Sequence, residues 1–263
     1  MDIGIIYKEE DALISGTAKK VAAELIAQKH RVEMIGGSRP PKKAGFVITF
    51  GGDGTVLRAA RIVNVPILAV HLAGVGLLTE VPLLGLNAAI ASIKKGKYRL
   101  DERMMLEAQV IRGGKKILDT FALNDVVIGK ASIARTIKLE AFLGSTSIAS
   151  YVGDGLVIST PTGSTAYNFA VNGPILPIHS RSYILSPICP HRAANRSIVI
   201  EAPVSVQIQK GTDNLLTVDG QETFKLKSGD TVIVRRSKMT TKFIRLKDYS
   251  LWELLRKKLG WIS

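Results

Sequence analysis

The sequence predicts an α/β amino-terminal domain followed by an all-β, sandwich-like domain, with a carboxy-terminal helix packing back on the first domain. Three observations predict it. Short apolar runs alternate with helix-period segments through the first hundred or so residues. Polar–apolar alternation with turn signals dominates most of the remaining chain. A leucine stripe at helical spacing lies near the end. The expected boundaries are 1–99, 100–247 and 248–263.

The elements are justified in chain order. "IGIIY" is a short apolar strand. In "SGTAKKVAAELIAQK", Ala18, Val21, Ala22, Leu25 and Ile26 recur at helical spacing. "RVEMI" and "FVITF" are strands on either side of the loop "GGSRPPKK". A helix is expected from about Thr55 to Val63, with Val56, Ala59, Ala60 and Val63 on one face. "PILAV" is the next strand, and a helix near "LGLNAAIASIKKG" closes the segment. Strands separated by helices imply parallel pairing. Beyond about Leu100, "MMLEAQVIRGGKKILDTFALNDVVIG" reads as strands with "RGGK" at a hairpin turn. "TIKLEAFLG", "VSVQIQ", "TFKLK" and "TVIVRR" all alternate. In "YSLWELLRKKLGW", Leu251, Leu254, Leu255 and Leu259 form the stripe and Gly260 stops it.

Composition bounds the function. The apolar fraction of 46% in 263 residues supports a core and argues against disorder. With one cysteine, Cys189, neither an internal disulfide nor a cysteine zinc cluster can form. The start lacks the features of a secretory signal. No apolar run approaches the roughly 18 residues of a membrane span. A soluble, cytoplasmic protein with no membrane partner is expected. The net charge of +14 has three readings. It can neutralise nucleic-acid phosphates, attract a polyanionic small molecule, or cover a solvated surface. The basic residues are scattered in small clusters such as "SIKKGKYR", "VRRSKMTTK" and "RKK". With no zinc finger or aromatic-basic ribonucleoprotein signature, no nucleic-acid partner is expected.

Two stretches carry chemistry. In "TFGGDGTVLRAA" a strand, a glycine-rich turn and a helix start put unpaired N–H groups at a helix N-terminus, a natural anion site. A plain turn with Asp53 as helix cap is the competing reading. Capping alone does not call for Gly51, Gly52 and Gly54 together. No P-loop and no G-x-G-x-x-G fingerprint is present. In "GDGLVISTPTGSTAY", six hydroxyl residues occupy the nine positions from Ser159 to Tyr167. Hydroxyls suit phosphate and ribose oxygens, and Tyr167 offers a ring for stacking. A bland Ser/Thr-rich loop is the alternative.

"GGDGTVL", "ALNDVVI", "GDGLVISTPTGSTAYN", "GPI" and "SPICPH" stand in the order and spacing of the NAD kinase family, which the sequence resembles over nearly its whole length. "GGDGT" is shared with diacylglycerol and sphingosine lipid kinases, which lack the tract ending "STPTGSTAY". The resemblance implies an α/β domain, a β-sandwich-like domain and a returning tail, with substrate bound between the domains in a homodimer or homotetramer. The implied reaction phosphorylates the 2′-hydroxyl of the adenosine ribose of NAD to give NADP. The implied donor is ATP or polyphosphate, with a divalent metal ion such as magnesium.

Residue by residue, Asp53 matches the family's catalytic aspartate, Gly54 lies beside the nucleotide and Arg58 contacts the dinucleotide. Asn124 and Asp125 match the pair that grips NAD hydroxyls and base. Arg135 falls where some members place a basic contact, and Asp154 matches the aspartate near the nicotinamide end. Thr165, Ala166 and Tyr167 match the substrate-lining turn, which Asn168 and Ala170 continue. Gln221 in "VDGQ" matches a late polar contact. No residue is assigned as a protein metal ligand, although contact with the metal through the donor's phosphates is the competing role for Asp53; His179 and His191 lack metal-ligand spacing, so zinc is not expected. There are departures. "AVHLAGVGLLTE" has His71 for an asparagine, Ala73 for a glycine and Leu77 for a phenylalanine. "AVNGPI" has Ala170 for a serine and Asn172 for a glycine. These bear on pocket shape, donor preference and the choice of NAD or NADH. His71 reads as structural, with a catalytic base as the alternative, and the Cys189 thiol as packing. A lipid kinase and a nucleic-acid-binding protein remain as competing functional classes.

Overall fold

Buried apolar strands need cover on both faces, and the helices of the first unit supply it. The computed structural model describes residues 1–36, 39–72, 76–131, 136–211 and 213–247, with Ser250, Trp252, Glu253, Leu255 and Arg256. The chain forms two units: Met1–Glu102 with the described residues from Thr241 onward, and Arg103–Thr240.

In the first unit, β1 (Asp2–Tyr7), α1 (Ala12–Ala27), β2 (Arg31–Ile35), β3 (Phe46–Phe50), α2 (Asp53–Ile62), β4 (Ile67–His71), β5 (Val81–Pro82) and α3 (Leu86–Lys94) succeed one another. The strands are parallel in the order β5-β4-β3-β1-β2. All five residues of "FVITF" are buried, as a strand covered on both faces requires. Helix α1 buries Ala18, Val21, Ala22 and Leu25, as the periodicity predicts, whereas Ile26 is exposed. Asp11 caps it, its carboxylate accepting the Ile14 N–H at 3.1 Å. Helix α2 begins at Asp53, two residues before the expected Thr55.

The second unit contains β7 (Lys115–Ala122), β8 (Asp125–Lys130), β9 (Ile137–Leu143), β10 (Thr146–Gly153), β11 (Gly155–Ser159), the short α4 (Tyr167–Ala170), β12 (Tyr183–Ile188), β13 (Ile198–Ile200), β14 (Val204–Lys210), β15 (Asn214–Val218) and β16 (Glu222–Leu226). Two long strands, β6 (Arg99–Arg112) and β17 (Thr231–Arg245), cross the unit boundaries. The predicted "RGGK" hairpin joins β6 to β7. β10-β9-β14-β17 form one antiparallel run, and β13-β12-β11-β8-β15-β16 form another sheet, also antiparallel. Both feed one core. Leu139, Ala141, Val206 and Val234 come from the first, and Val126, Ile128, Leu156 and Leu216 from the second.

The end of β17 belongs to the first unit, where Phe243 pairs in parallel with Ile67. Of the predicted tail helix, Trp252, Glu253, Leu255 and Arg256 are helical and Leu255 is buried. Leu251, Leu254, Leu259 and Gly260 lie outside the described residues.

Candidate active site

The first functional group sits where β3 ends and α2 begins, at the carboxyl edge of a parallel sheet, where α/β folds hold ligands. Gly52 is the N-cap and makes no side-chain capping bond. Asp53 is therefore the first helical residue, neither a loop residue nor the cap. The helix N-terminus favours its negative charge. Its Oδ1 accepts the Leu78 N–H and its Oδ2 the Leu77 N–H, each at 3.1 Å. Gly76 makes that approach possible, since a Cβ there would lie 2.2 Å from Asp53 Oδ1.

The donor segment is itself anchored. The fully buried Arg245 donates from Nη1 to Glu80 at 2.8 Å and to the Leu78 carbonyl at 3.4 Å, and from Nε to Asp101 at 3.0 Å. Leu246 N–H donates to the other Glu80 oxygen at 2.9 Å. Leu78 thus links Arg245 to Asp53, through its carbonyl on one side and its N–H on the other. Gly54 is exposed on the first turn of α2. One turn further along the helix, Arg58 donates from Nη2 to the Tyr7 carbonyl at 2.5 Å. Its Nε is buried with no partner among the described residues. His71 ends β4, partly buried. Ala73 lies outside the described residues.

The second group lines a cleft of about 590 Å³ within the second unit. Asn124, Asp125, Asp154, Ala166 and Tyr167, all expected from sequence, border it together with Lys130 and Asp219. Asp125 opens β8 and is 6% exposed. Burial, and secondly the charge of Asp219, push its carboxyl up to about 7. Asn124 Oδ1 is buried with no partner among the described residues. Lys130 Nζ pairs with Asp154 Oδ1 at 2.6 Å. Tyr167 borders the cleft and is 43% exposed. Burial raises its hydroxyl above the usual range, helped by the negative charges of Cys189, Asp125 and Asp154. Asp219 accepts the N–H groups of Leu123, Asn124 and Asp125 at 2.9, 2.7 and 3.1 Å.

The hydroxyl tract is used differently from the expectation. Thr160 Oγ1 donates to the Leu123 carbonyl at 2.6 Å and accepts the Gly163 N–H at 3.0 Å. Ser159 donates to the Thr160 carbonyl and Ser164 to that of Pro161. Ser159, Thr160 and Ser164 are fully buried. These hydroxyls build the turn and tie it to the Asn124 segment, so they do not face a phosphate. Asn168 is also fully buried, its amide donating to the Ser164 and Pro174 carbonyls and accepting from Ser186. Its side chain has no surface to offer a ligand, which corrects its place among the substrate contacts. Thr165 bonds the Thr162 carbonyl at 3.4 Å, while Ala170 and Gln221 are exposed and do not border the cleft. Arg135 lies outside the described residues.

Sequence reasoning missed Lys130, Asp219 and the Arg245 cluster. Asp219-Gly220 carries only a turn signal, and the Arg245 partners lie 144 and 165 residues away in sequence. Among the described residues, no three His, Cys, Asp or Glu side chains gather as a metal-binding group.

Comparison with known proteins supplies a further finding. Residues 36–98 match the ATP-NAD kinase N-terminal domain and residues 123–246 the ATP-NAD kinase C-terminal domain. The NAD kinase of Geotalea daltonii is 40% identical over 278 aligned positions, covering 98% of each chain. That of Geobacter metallireducens is 42% identical over 277, again covering 98% of each. Yeast NADH kinase complexed with NADH superposes with a TM-score of 0.90 at 18% identity, covering all of this chain and 88% of that one. The NAD kinase of Archaeoglobus fulgidus in complex with ATP gives 0.80 at 22% identity, covering both chains fully. At such identities these two structures speak to the fold alone.

Proposed function

This chain belongs to the NAD kinase family, and from that premise we propose that it transfers the terminal phosphoryl group of ATP to the adenosine ribose 2′-hydroxyl of NAD, giving NADP. The observation that carries the reading is Asp53, a half-buried carboxylate at a helix N-terminus, oriented by the N–H groups of Leu77 and Leu78. Those two bonds leave a lone pair on each oxygen.

The ribose hydroxyl is a poor nucleophile while protonated. Asp53 orients it and takes its proton as the bond to phosphorus forms and the bond to the leaving diphosphate breaks. The exposed amides beside Gly52 and Gly54 donate to the spreading phosphoryl charge. Arg58, partly exposed one turn into α2, contacts an anionic group of the nucleotide. Asn124 and Asp125 hold ribose hydroxyls and base, and Tyr167 stacks. Asp154, paired with Lys130, borders the nicotinamide end. A divalent ion would screen the phosphate charge. Such an ion would come on the donor's phosphates, and contact with it is the competing role for Asp53. A homodimer or homotetramer in the cytoplasm completes the reading. Among the described residues no helix is long and apolar enough to cross a membrane.

Asp53→Asn is the test. As general base, Asp53 should account for roughly 10²–10⁴-fold in kcat. NAD and ATP binding should persist, and excess magnesium or manganese should not restore the rate. Restoration by metal would make Asp53 chiefly a ligand. Near-normal turnover at ordinary magnesium would sink the assignment.

A further inference from the structure

Asp219 lies in the turn between β15 and β16. Gln221 N–H donates to the Val218 carbonyl at 2.9 Å, and Asp219 and Gly220 have φ of +51° and +63°. Two successive residues with positive φ, closed by that bond, make a tight turn in the three-residue loop between the paired Val218 and Glu222, and Asp and Asn are both suited to it. Turn chemistry therefore explains a small polar residue at 219 but not a carboxylate. The side chain does not point to solvent, since the residue is 5% exposed. Burying a carboxylate is costly unless charge-assisted hydrogen bonds compensate it.

Three such bonds come from one segment. Asp219 Oδ1 accepts from Asn124 and Asp125, and Oδ2 accepts from Leu123. In return, Asp219 N–H donates to the Asp125 carbonyl at 2.9 Å. Three consecutive donors just ahead of and at the start of β8 thus converge on one carboxylate. The same segment carries Asn124 and Asp125, both of which border the cleft.

We propose that Asp219 is a positioning residue for the dinucleotide: it gathers the Leu123, Asn124 and Asp125 N–H groups and so holds Asn124 and Asp125 in their ligand-facing arrangement. The proposal rests on the cleft being the NAD site. It also has an electrostatic consequence. Among the described residues, Asp219 from the turn, Tyr167 from α4, and Asp154 before β11 with its partner Lys130 are the titratable groups that border the cleft with Asp125. Burial is the larger cause of the raised Asp125 pKa and the Asp219 charge the second. Removing that charge should move the Asp125 inflection to lower pH.

Asp219→Asn and Asp219→Gly in the full chain test this, because both residues tolerate a φ of +51°. Asn keeps one acceptor atom and no charge, and Gly keeps neither. NAD binding is titrated calorimetrically without ATP, across pH, beside steady-state kinetics. The Kd for NAD should rise about tenfold in Asn and further in Gly, as each lost buried bond weakens the arrangement. The KM for ATP should stay, and the pH inflection that the Asp125 carboxyl imparts to NAD binding should lie lower in Asn than in wild type. A cooperatively melting variant with wild-type NAD affinity and an unmoved inflection would overturn the proposal, as would equal losses for NAD and ATP. Loss of cooperative melting in both variants would assign Asp219 to folding instead. Failure of the wild type to bind NAD would overturn the reading of the cleft itself, a separate result.

Discussion

Asp53 shows how one missing side chain can matter more for rate than for stability. A Cβ at position 76 would lie 2.2 Å from Asp53 Oδ1, and the next nearest atoms are Thr79 Oγ1 at 3.0 Å and Asp53 Cγ at 3.1 Å. Every clash is therefore with the end of a short side chain and none is with backbone. Gly76→Ala should be accommodated by swinging the carboxylate away from the Leu77 and Leu78 donors. The fold should survive, with a melting temperature within a few degrees of wild type, as expected for a change under about 1 kcal/mol. The chemistry should not survive. Displacing a reacting group by about 1 Å costs roughly 10²-fold. The expected outcome is a kcat loss on that order with NAD and ATP affinities retained. A Gly76→Ala enzyme with normal kcat would mean that the Asp53 rotamer bonded to Leu77 and Leu78 is not the reactive one.

At the scale of elements, the last part of β17 and the 76–80 segment hold one another through Arg245. The guanidinium is fully buried, and the Glu80 and Asp101 side chains are nearly so, at 9% and 3% exposure. Arg245→Met would leave two buried carboxylates without their cation. Breaking such a cluster costs about 3–5 kcal/mol, measurable as a lower urea midpoint, and kcat should fall too because Leu78 also supports Asp53. If Met proved as stable as Arg, the cluster would be replaceable by apolar packing. This cluster also marks what the sequence could not disclose. The strands and helices were legible because burial imposes a local period, seen in "FVITF" and in Ala18, Val21, Ala22 and Leu25. Asp53, Asn124 and Asp125 were legible through the family resemblance. Arg245 and Asp219 act through partners far away in sequence, and no local pattern encodes such a contact. The tract from Ser159 to Ser164 was conspicuous in sequence, yet the Ser159, Thr160 and Ser164 hydroxyls serve the backbone. Residue type alone cannot tell a ligand contact from an internal bond.

At the scale of the whole molecule, the +14 charge needs a role. Some of the basic side chains are paired, as where Arg112 meets Asp230 at 2.7 Å and Arg235 meets Glu107 at 2.6 Å. Pairs with a solvent-exposed partner contribute little stability, and they leave the net excess unchanged. A net positive field concentrates anionic ligands, and salt screens it over about 8–10 Å at ordinary ionic strength. The two substrates differ in what they feel. ATP carries more negative charge than NAD, whose nicotinamide ring offsets part of its diphosphate. Raising potassium chloride from about 20 mM to about 200 mM should therefore raise both KM values, and that of ATP more steeply. The kcat should change little, because bound substrates already sit within hydrogen-bonded sites that salt screens weakly. Equal slopes would point to a general ionic effect on the protein instead of steering by net charge. Salt-insensitive KM values accompanied by tight, salt-sensitive DNA binding would assign the charge to nucleic-acid phosphates, where log K falls linearly with log salt.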